Sequence, residues 1–386
     1  MKKIGIPVDF FCQWEGGATL LSIITEALIA SSKNKIELYF IAIDKKNDDL
    51  RFNRNKFEEV PKRSFAGHPN PIFRRFLLRS SLETIAVASD YEAALNNLNL
   101  DILGPIYGDF GGSLNIPTIG YLYDFQHMYF PEKFDQEEIQ ERNRTFRSIL
   151  DTSTIILVND PSVAKDAMKF FPETNPDKLK ILPQFIPRLK QYPTPESLIR
   201  NIFGLNNQYF ICCSQQWAHK RHDLVIQAFA KAKDKFDMPL DLVFTGLPED
   251  YRNKLYHSQV NALIEELNVE KNIRYLGVVE KNDQLGLINN SIALIQASIF
   301  EGGPGSSGTM EAALLGVPIL CSDIEPNLNL KIGTKFPFPS EDFSRLAELM
   351  VSNQIRKPRN WINSNLIDLE NNSLQEEFCT IFLNAK

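Results

Sequence analysis

A glycine-rich stretch between two glutamates is the part of this sequence best suited to chemistry. Between Glu301 and Glu311 lie four glycines, one proline and three hydroxyl residues, and an apolar helical pattern follows. Glycine lets backbone N–H groups come close to a ligand because it has no Cβ. A helix that begins at such a loop adds unpaired N–H donors and the positive end of its dipole, which suits a phosphate. The stretch therefore predicts a phosphate site, with a flexible surface loop as the alternative.

Three further stretches place small or polar residues directly after apolar runs. Gly16 and Gly17 follow the first such run, KKIGIPV. The segment SQQWAHKRH contains Lys220 after YFICC, and the segment IGYLYDFQH ends on His127. A lysine suits a phosphate as a point charge, and a histidine suits proton transfer or hydrogen bonding. The alternatives are an exposed charged turn for HKRH and a structural role for His127.

Short apolar or β-branched runs alternate with helical patterns along the whole chain, and this order positions the polar stretches. Predicted helices include one at about residues 162–171 and one that begins at Met310. The alternation predicts parallel sheets with helices on both faces. Ligands bind at the carboxyl ends of such strands, where the polar stretches follow. The predicted strands are KKIGIPV, KIELYFIAI, PTIGYLYD, STIILVN, LKILPQF, QYFICCS, LDLVFTG, NIRYLGVV, IALIQASIF and VPILCSD.

A polar segment with prolines at residues 186–201 interrupts the alternation, which then starts again. Two doubly wound α/β domains are therefore predicted, at residues 1–188 and 189–370. A helix at about residues 371–386 is expected to pack back on the first domain. The length of 386 residues fits two domains of ordinary size, and the composition, 43% hydrophobic and 23% charged, is that of a globular protein.

The cysteines, the apolar runs and the net charge argue against several classes of protein. Five scattered cysteines without a CxxC pair indicate reduced thiols, so we expect a cytoplasmic protein. No run approaches the ~18 apolar residues of a membrane-spanning helix. The basic start MKKIGIPVDFF develops no apolar core of a signal peptide. A net charge of −6 argues against general nucleic-acid binding.

One basic segment contrasts with the acidic chain. Residues 51–80 contain eight lysines or arginines and two glutamates, a local charge of +6. Within them, NPIFRRFLLRSS interleaves Arg74 and Arg75 with phenylalanine and leucine. Such a stretch can lie on an anionic membrane surface or hold a lipid-linked phosphate acceptor, which predicts a peripheral location at the inner face of the membrane. A solvated helix face with an ordinary buried stripe is the alternative.

Taken together and in this order, these stretches resemble the retaining glycosyltransferases of family 4, most strongly over residues 116–324. The family has a Glu, a glycine-rich stretch, a second Glu and then A–GVP. Here these are Glu301, GGPGSSGTM, Glu311 and AALLGVPIL, with nine residues between the glutamates where the family usually has seven. The resemblance implies the GT-B fold, in which two Rossmann-like α/β domains face each other across a cleft.

Three more segments carry the resemblance, two of them with a departure. SQQWAHK is similar to the family's GR–––K loop, whose Arg and Lys hold the donor diphosphate; Lys220 matches the Lys, and Gln215 stands at the Arg position. IGYLYDFQHMYFPEKF is similar to HDLQHLHFPEFF in relatives that build surface polysaccharides; Asp124 and His127 match, and Tyr123 stands at the leading His. IRYLGVV, residues 273–279, resembles the segment whose backbone recognises the nucleotide base.

The resemblance implies a role for each candidate site residue. Glu301 would bind donor-sugar hydroxyls or stabilise positive charge in the transition state, and Glu311 would hold the ribose. Lys220 and the loop amides would neutralise the leaving diphosphate. The catalytic candidates are thus His127, Lys220 and Glu301, and the acceptor-side candidates are Asp124, Arg74 and Arg75. The donor-binding candidates are Gly16, Gly17, Gln215, Arg221, Gly277, Val278, Gly303, Pro304, Gly305, Ser306, Ser307, Gly308, Thr309 and Glu311.

The predicted function is transfer of a hexose-like sugar, with retention of configuration, from a nucleotide-sugar donor to a glycan or lipid-linked glycan. The product would be a surface polysaccharide such as lipopolysaccharide or capsule. No convincing DxD motif is present, so we expect no metal and no other cofactor. The alternatives are a nucleotide- or glycan-binding protein without turnover, and a nucleotide-sugar epimerase or phosphorylase on the same fold. WEGGATL lacks the GxGxxG of dinucleotide oxidoreductases, and a periplasmic sugar-binding protein would need an export signal.

Overall fold

The chain forms two compact units in a computed structural model. One unit comprises Met1–Met128, Asp135–Phe185 and Leu369–Lys386, and the other comprises Tyr129–Phe134 and Ile186–Asp368. Arg74 and Arg75, with the rest of the basic segment, lie outside the residues that the structure describes. The described residues are 1–8, 11–13, 15–31, 35–43, 83–87, 95–96, 98–108, 114–186, 189, 192–250, 252–356 and 364–385.

The first unit is built on a parallel sheet with helices on both faces. Alternate residues of one strand enter two separate cores: Ile155 and Leu157 pack on one face, and Ile156 and Val158 pack on the other. The hydrogen-bonded order of the described strands is β3-β2-β1-β4-β5-β6-β7. These strands are β1 (Lys2–Pro7), β2 (Ile36–Ile43), β3 (Glu83–Val87), β4 (Ile102–Ile106), β5 (Thr118–Leu122), β6 (Ile155–Val158) and β7 (Leu179–Ile181).

Two helices of this unit, α3 and α4, begin where the sequence supplies a capping side chain. The Asp135 carboxylate accepts from the backbone N–H of Glu138 at 2.7 Å and caps α3, and the Asp160 carboxylate caps α4 in the same way. Such caps stabilise a helix by satisfying its first free N–H groups. The helices in the described ranges up to residue 186 are α1 (Glu15–Ser31), α2 (Gln126–Tyr129), α3 (Gln136–Thr152) and α4 (Pro161–Phe170).

The second unit repeats this architecture. Tyr209 and Ile211 pack into a core on one face of its sheet, and Phe210 and Cys212 pack into a core on the other. The described strands are hydrogen-bonded in the order β10-β9-β8-β11-β12-β13, and each pair is parallel. They are β8 (Gln208–Cys213), β9 (Leu240–Thr245), β10 (Ile273–Tyr275), β11 (Leu294–Gln296), β12 (Ile319–Ser322) and β13 (Lys335–Phe338).

Helices cover both faces of the second sheet, which confirms the predicted doubly wound α/β class. Leu224 and Phe229 of α6 enter one core, and Leu285 and Ile288 of α8 enter the other. The helices are α5 (Glu196–Phe203), α6 (His222–Ala232), α7 (Tyr256–Glu266), α8 (Lys281–Asn290), α9 (Ser307–Leu314), α10 (Glu325–Leu328) and α11 (Phe343–Val351). Short 3-10 turns lie at Phe11–Gln13, Pro131–Lys133, Pro176–Lys178, Ala218–Lys220, Lys233–Lys235, Glu270–Asn272 and Asn353–Arg356.

The last helix, α12 (Ser364–Asn384), returns the chain to the first unit. Phe378 and Phe382 are fully buried in the first unit's core, and the Phe378 ring lies 5.5 Å from the Phe185 ring. Lys2 Nζ donates to the backbone carbonyls of Leu383 and Ala385 at 2.8 and 2.7 Å. The N-terminal strand is thus tied directly to the C-terminal helix. None of the helices in the described ranges is long and apolar enough to cross a membrane.

Two details of the helices differ from the sequence prediction. The helix predicted from Met310 begins at Ser307, because the Ser306 side chain caps it. Gly16 and Gly17 lie in the first turn of α1 and not in the loop before it. All five cysteines are free thiols in this structure.

Candidate active site

The candidate site lies in the second unit, where the strand order reverses. β8 is the first strand of this sheet along the chain, and its neighbours are β9 on one side and β11 on the other. The chain leaves β8 and β11 at the same edge of the sheet, so the loops that follow them meet there. Ligands of open α/β sheets bind at such a point, outside the carboxyl ends of the strands. Lys220 comes from the first loop and Glu301 from the second.

Lys220 and Glu301 form an ion pair. Lys220 Nζ lies 2.5 Å from Glu301 Oε1, and the two side chains are 13% and 11% exposed. The Ala218–Lys220 turn fixes the lysine, since the Lys220 N–H donates to the Trp217 carbonyl at 2.8 Å. The Ile299 N–H donates to the His219 carbonyl at 2.9 Å, which ties the two loops together. The structure therefore brings two of the three predicted catalytic residues into contact.

The glycine-rich loop ends in a capping box at the start of α9. Thr309 N–H donates to Ser306 Oγ at 3.3 Å, and Ser306 N–H donates to Thr309 Oγ1 at 2.7 Å. Gly305 precedes the box with a φ of +68°, and a Cβ at this position would overlap Thr309 Oγ1. Gly308 lies against the Cβ of Cys213 in β8, so helix and strand come close together there. Glycine is thus required at Gly305 by both backbone conformation and space.

This arrangement limits which loop amides remain available to a ligand. Ser306 and Thr309 use their N–H groups in the capping box, and the Gly305 N–H donates to the Pro326 carbonyl. Pro304, a predicted donor-binding residue, has no N–H to offer. The N–H groups of Gly303, Ser307 and Gly308 have no hydrogen-bond partner within the described part of the chain. Ser307 and Gly308 occupy the first two positions of α9, where helices leave N–H groups free.

Glu311 contacts α8 and not Lys220. Its Oε1 lies 2.6 Å from Lys281 Nζ, and its Oε2 accepts from Gln284 Nε2 at 2.8 Å. Because α9 begins at Ser307, Glu311 lies in the second turn of the helix and not in the first turn as predicted. The dipole at the helix start therefore favours its carboxylate less than it would in the first turn. The two glutamates of the motif thus have separate sets of partners.

Two donor-binding candidates in the β8–α6 loop, Gln215 and Arg221, have different surroundings: one is exposed and the other is paired with carboxylates. Gln215 is exposed. Arg221 adopts a left-handed backbone conformation with φ of 53°. Its guanidinium lies 3.2 Å from the Asp223 carboxylate and 2.7 Å from the Glu341 carboxylate. These two carboxylates neutralise the positive charge that Arg221, as a donor-binding candidate, would offer to a diphosphate.

Gly277 and Val278 follow β10 at the same edge of the sheet. The Gly277 carbonyl accepts from the Gly246 N–H at 2.8 Å, and Gly277 has a φ of +67°. Val278 is 74% exposed, which leaves this short segment accessible to a ligand. The Tyr275 ring stacks on Phe244 at 5.2 Å between ring centres.

Two buried histidines beside Lys220 were missed in the sequence analysis. Burial, aided by the charge of Lys220, lowers the pKa of His219 to about 2. Burial also lowers the pKa of His222, which is packed against Phe244, to about 3. Both are neutral near pH 7, so Lys220 is the cation that this loop directs at Glu301. The HKRH stretch signalled polar residues, but only the tertiary structure shows that its histidines are buried.

Gln296 was also missed, although it touches Glu301 directly. It ends β11 and is 4% exposed, and its Nε2 donates to Glu301 Oε1 at 2.5 Å. Its Oε1 accepts from Ser306 Oγ at 3.2 Å. The available signal was a single polar residue in the otherwise apolar run IALIQA.

The remaining candidates belong to the first unit. His127 is fully buried, its Nε2 lies 3.0 Å from Asn143 Oδ1, and its ring packs against Phe146. Burial is the main cause that lowers the pKa of His127. Asp124 Oδ1 accepts from the Gln126 N–H at 2.9 Å. Gly17 is buried in the first turn of α1, and Gly16 is exposed there.

Tyr123, where the resembling family has a histidine, belongs to a hydrogen-bonded cluster. Its hydroxyl accepts from Arg142 NH1 at 2.5 Å and from the Tyr107 hydroxyl at 2.9 Å. Burial raises the pKa of Tyr123 well above its usual range, so the phenol is neutral at physiological pH. Among the described residues, no group of three or more His, Cys, Asp or Glu side chains is arranged to hold a metal ion.

The segment that contains this geometry matches a known protein family. Residues 196–365 fit the model of the glycosyl transferases group 1. This segment is therefore similar to the group 1 glycosyl transferases over somewhat less than half of the chain. It includes β8 to β13 and both members of the Lys220–Glu301 pair. No curated protein sequence matches the chain.

Solved structures of other proteins share the fold over almost the whole chain. HepE of Anabaena, in complex with UDP and glucose, matches with a TM-score of 0.64 and 14% identity over 98% of this chain and 95% of that one. The lipopolysaccharide outer core galactosyltransferase WaaB matches with a TM-score of 0.57 and 14% identity over 100% and 99% of the two chains. WaaG, a glycosyltransferase involved in lipopolysaccharide biosynthesis, has a TM-score of 0.57 and 13% identity over 98% and 95%. These matches confirm the predicted GT-B fold with two Rossmann-like domains.

Proposed function

We propose that this protein is a retaining glycosyltransferase. It would move a hexose-like sugar from a nucleotide-sugar donor to a glycan or lipid-linked glycan in cell-surface polysaccharide synthesis, without a metal ion. The observation that carries this proposal is the Lys220–Glu301 pair in the same site as the free N–H groups of Ser307 and Gly308, within the segment that matches the model of the glycosyl transferases group 1. HepE of Anabaena, which shares the fold, has been solved in complex with UDP and glucose and in complex with UDP-glucose, which makes a UDP-sugar the first donor to test.

Departure of a nucleoside diphosphate leaves negative charge that the protein must stabilise. Lys220 supplies a full positive charge, and the first N–H groups of α9 supply donors that are fixed before the reaction begins. Preorganised donors of this kind contribute about 10²–10³ in rate each when they face developing charge. A helix start adds the positive end of its dipole. These groups together would take the place of a divalent cation.

Glu301 is arranged to act on the sugar. Its Oε1 is held by Lys220 and Gln296 at 2.5 Å each, and its Oε2 has no hydrogen-bond partner among the described residues. Oε2 can therefore accept from a sugar hydroxyl or face the positive charge that develops as the glycosidic bond breaks. Before the donor binds, Glu301 neutralises the charge of Lys220. When the donor is bound, Lys220 would be shared between the Glu301 carboxylate and the diphosphate.

The chemistry of retention would need no separate base. We propose that sugar transfer occurs on one face of the donor, with the leaving phosphate accepting the proton of the acceptor hydroxyl. Asp124 and His127 remain proposed contacts to donor sugar or acceptor. The location at the inner face of a membrane and the roles of Arg74 and Arg75 rest on the sequence pattern of the basic segment.

A thermal-shift screen with UDP, GDP, dTDP and ADP, with and without magnesium, tests the donor site, and transfer assays with the matching sugars follow. We expect one nucleotide to stabilise the protein equally in the presence and absence of magnesium, and its sugar to be transferred with retained configuration. Stabilisation that needs magnesium would overturn the metal-free mechanism. Binding without transfer to any glycan or lipid-linked acceptor would indicate a binding protein instead.

A further inference from the structure

Gln296 is a polar side chain in the middle of an apolar environment. The two residues before it in β11, Leu294 and Ile295, are buried in the hydrophobic cores, and Gln296 itself is 4% exposed. A buried amide is costly unless it is hydrogen-bonded. Gln296 satisfies this requirement with contacts to Glu301, Ser306 and Ser298, the last from Nε2 to Ser298 Oγ at 2.9 Å. The strand therefore ends in an amide whose hydrogen bonds in the described part of the chain all go to the loop that follows β11.

The chemistry of the partners fixes the orientation of this amide. An ionised carboxylate only accepts hydrogen bonds, so the NH₂ group of Gln296 must face Glu301. Its carbonyl oxygen then faces Ser306, whose hydroxyl must donate. A lone pair of the same hydroxyl accepts from the Thr309 N–H in α9. One chain of hydrogen bonds with a single direction thus runs from the start of the helix to the carboxylate.

We propose that Gln296 is a positioning residue for the Glu301 carboxylate. By holding Oε1 against Lys220 and tying it to the Ser306 cap, it sets the direction of Oε2 relative to the free N–H groups of α9. Glu301 itself stands at the start of a glycine-rich loop, which gives it little support from its own backbone. This inference rests on the proposed function, because it assigns Gln296 a task in sugar transfer.

A neutral amide is suited to this task. Lys220 and Glu301 neutralise each other, so a donor that adds no charge leaves the pair balanced. A carboxyl group in place of the amide would have nearly the same shape, but it could be either protonated or ionised. Protonated, its O–H can donate to Glu301 and its carbonyl can accept from Ser306; ionised, it cannot donate and lies beside a second carboxylate. Both burial and the neighbouring carboxylate would raise its pKa.

The test compares Gln296→Glu with Gln296→Met in the full chain. For Gln296→Glu, we expect kcat close to that of the wild type at low pH and a fall of about tenfold or more as pH rises, the factor that corresponds to loss of one hydrogen bond to a charged group. For Gln296→Met, we expect a similar loss at every pH. In both variants KM for the donor should change less than kcat. Within the described part of the chain Lys220 is the charged group paired with Glu301, and the histidines beside Lys220, His219 and His222, are neutral above pH 5, so a new fall between about pH 5.5 and 8.5 reports the introduced carboxyl.

A matched control exists at the amino ends of the strands of the same sheet, opposite the carboxyl ends where the candidate site lies. Asn207 Nδ2 donates to Asp241 Oδ1 at 3.0 Å just before β8, and Arg274 Nε lies 3.4 Å from the same carboxylate. Asn207→Asp therefore makes the same change, an amide to a carboxyl beside a buried, cation-paired carboxylate, far along the strands from the site. We expect it to lower the denaturation midpoint as pH rises while the pH profile of kcat stays that of the wild type.

The outcomes separate the inference from the proposed function. Wild-type transfer together with a Gln296→Glu profile parallel to that of the wild type would overturn the positioning role and leave the proposed function standing. A new fall in kcat that Asn207→Asp also shows would overturn it as well, since the effect would then come from stability. Absence of transfer by the wild type with every donor sugar would overturn both.

Discussion

Lys220 Nζ and Glu301 Oε1 lie 2.5 Å apart, although the two residues come from loops after two different strands. The strands β8 and β11 are neighbours only because the chain of the second unit crosses over and builds its sheet outwards in both directions. The pair is nearly buried, so each charge depends on the other for its stabilisation. Any diphosphate that binds Lys220 must share it with Glu301 or take it over.

Replacement of Lys220 by alanine should remove most of the transfer activity. The variant loses the full positive charge at the diphosphate and leaves Glu301 without its ion-pair partner, so we expect kcat to fall by about 10²–10³ or more. Steady-state transfer assays measure the loss. Lys254→Ala is the control, since Lys254 is an exposed lysine in the same unit. Unchanged turnover in Lys220→Ala would show that the leaving group is stabilised elsewhere.

Replacement of Glu301 by glutamine should separate binding from turnover. The amide no longer neutralises Lys220, so we expect the nucleoside diphosphate to bind severalfold more tightly, while transfer falls because the carboxylate that we propose to face the sugar is lost. Isothermal titration with UDP and transfer assays on the same preparation give the two numbers. Weaker UDP binding with Glu301→Gln would contradict competition between the carboxylate and the phosphates.

Gly305→Ala should cost more stability than Gly204→Ala. Both glycines have a left-handed φ, +68° and +64°, but a Cβ at Gly305 overlaps Thr309 Oγ1, whereas none of the described atoms lies within 4 Å of a Cβ at Gly204. Left-handed conformation costs roughly 1–3 kcal/mol for a non-glycine residue, and the clash adds to it only at Gly305. Urea unfolding measures both values. Gly305→Ala should also lower transfer, because it disturbs the capping box of α9. Equal losses of stability in Gly305→Ala and Gly204→Ala would argue against the clash.

The buried histidines predict a pH-dependent stability. Burial holds the pKa of His219 at about 2 and that of His222 at about 3, whereas both titrate near 6.5 when unfolded. Below pH 6.5 the unfolded chain binds protons that the folded chain does not, so stability is full above this pH and falls as pH decreases. Each histidine contributes a slope of up to about 1.4 kcal/mol per pH unit. Urea unfolding of the wild type and of His222→Gln across this range should give a shallower slope for the variant, and equal slopes would contradict the burial effect.

Much of the architecture follows from local pattern. Apolar runs that alternate with helical segments predicted two doubly wound sheets, and the structure contains them. The glycine-rich stretch predicted a helix start and a special backbone, because a φ of +68° at Gly305 is accessible to glycine at low cost. The start of α9 was placed three residues late, since Ser306 as a cap was not recognised among several hydroxyl residues.

The sequence by itself determined which residue types stand at the ends of the strands, because period and turn chemistry are local properties of the chain. Only the tertiary structure decided their partners: Glu301 with Lys220 and Gln296, Glu311 with Lys281, and Arg221 with carboxylates. Such pairings depend on which strands become neighbours and on how much water is excluded around each side chain. Those are properties of the folded chain as a whole. Residues far apart in sequence therefore acquire their protonation state and side-chain orientation only when the strands have assembled into the sheet.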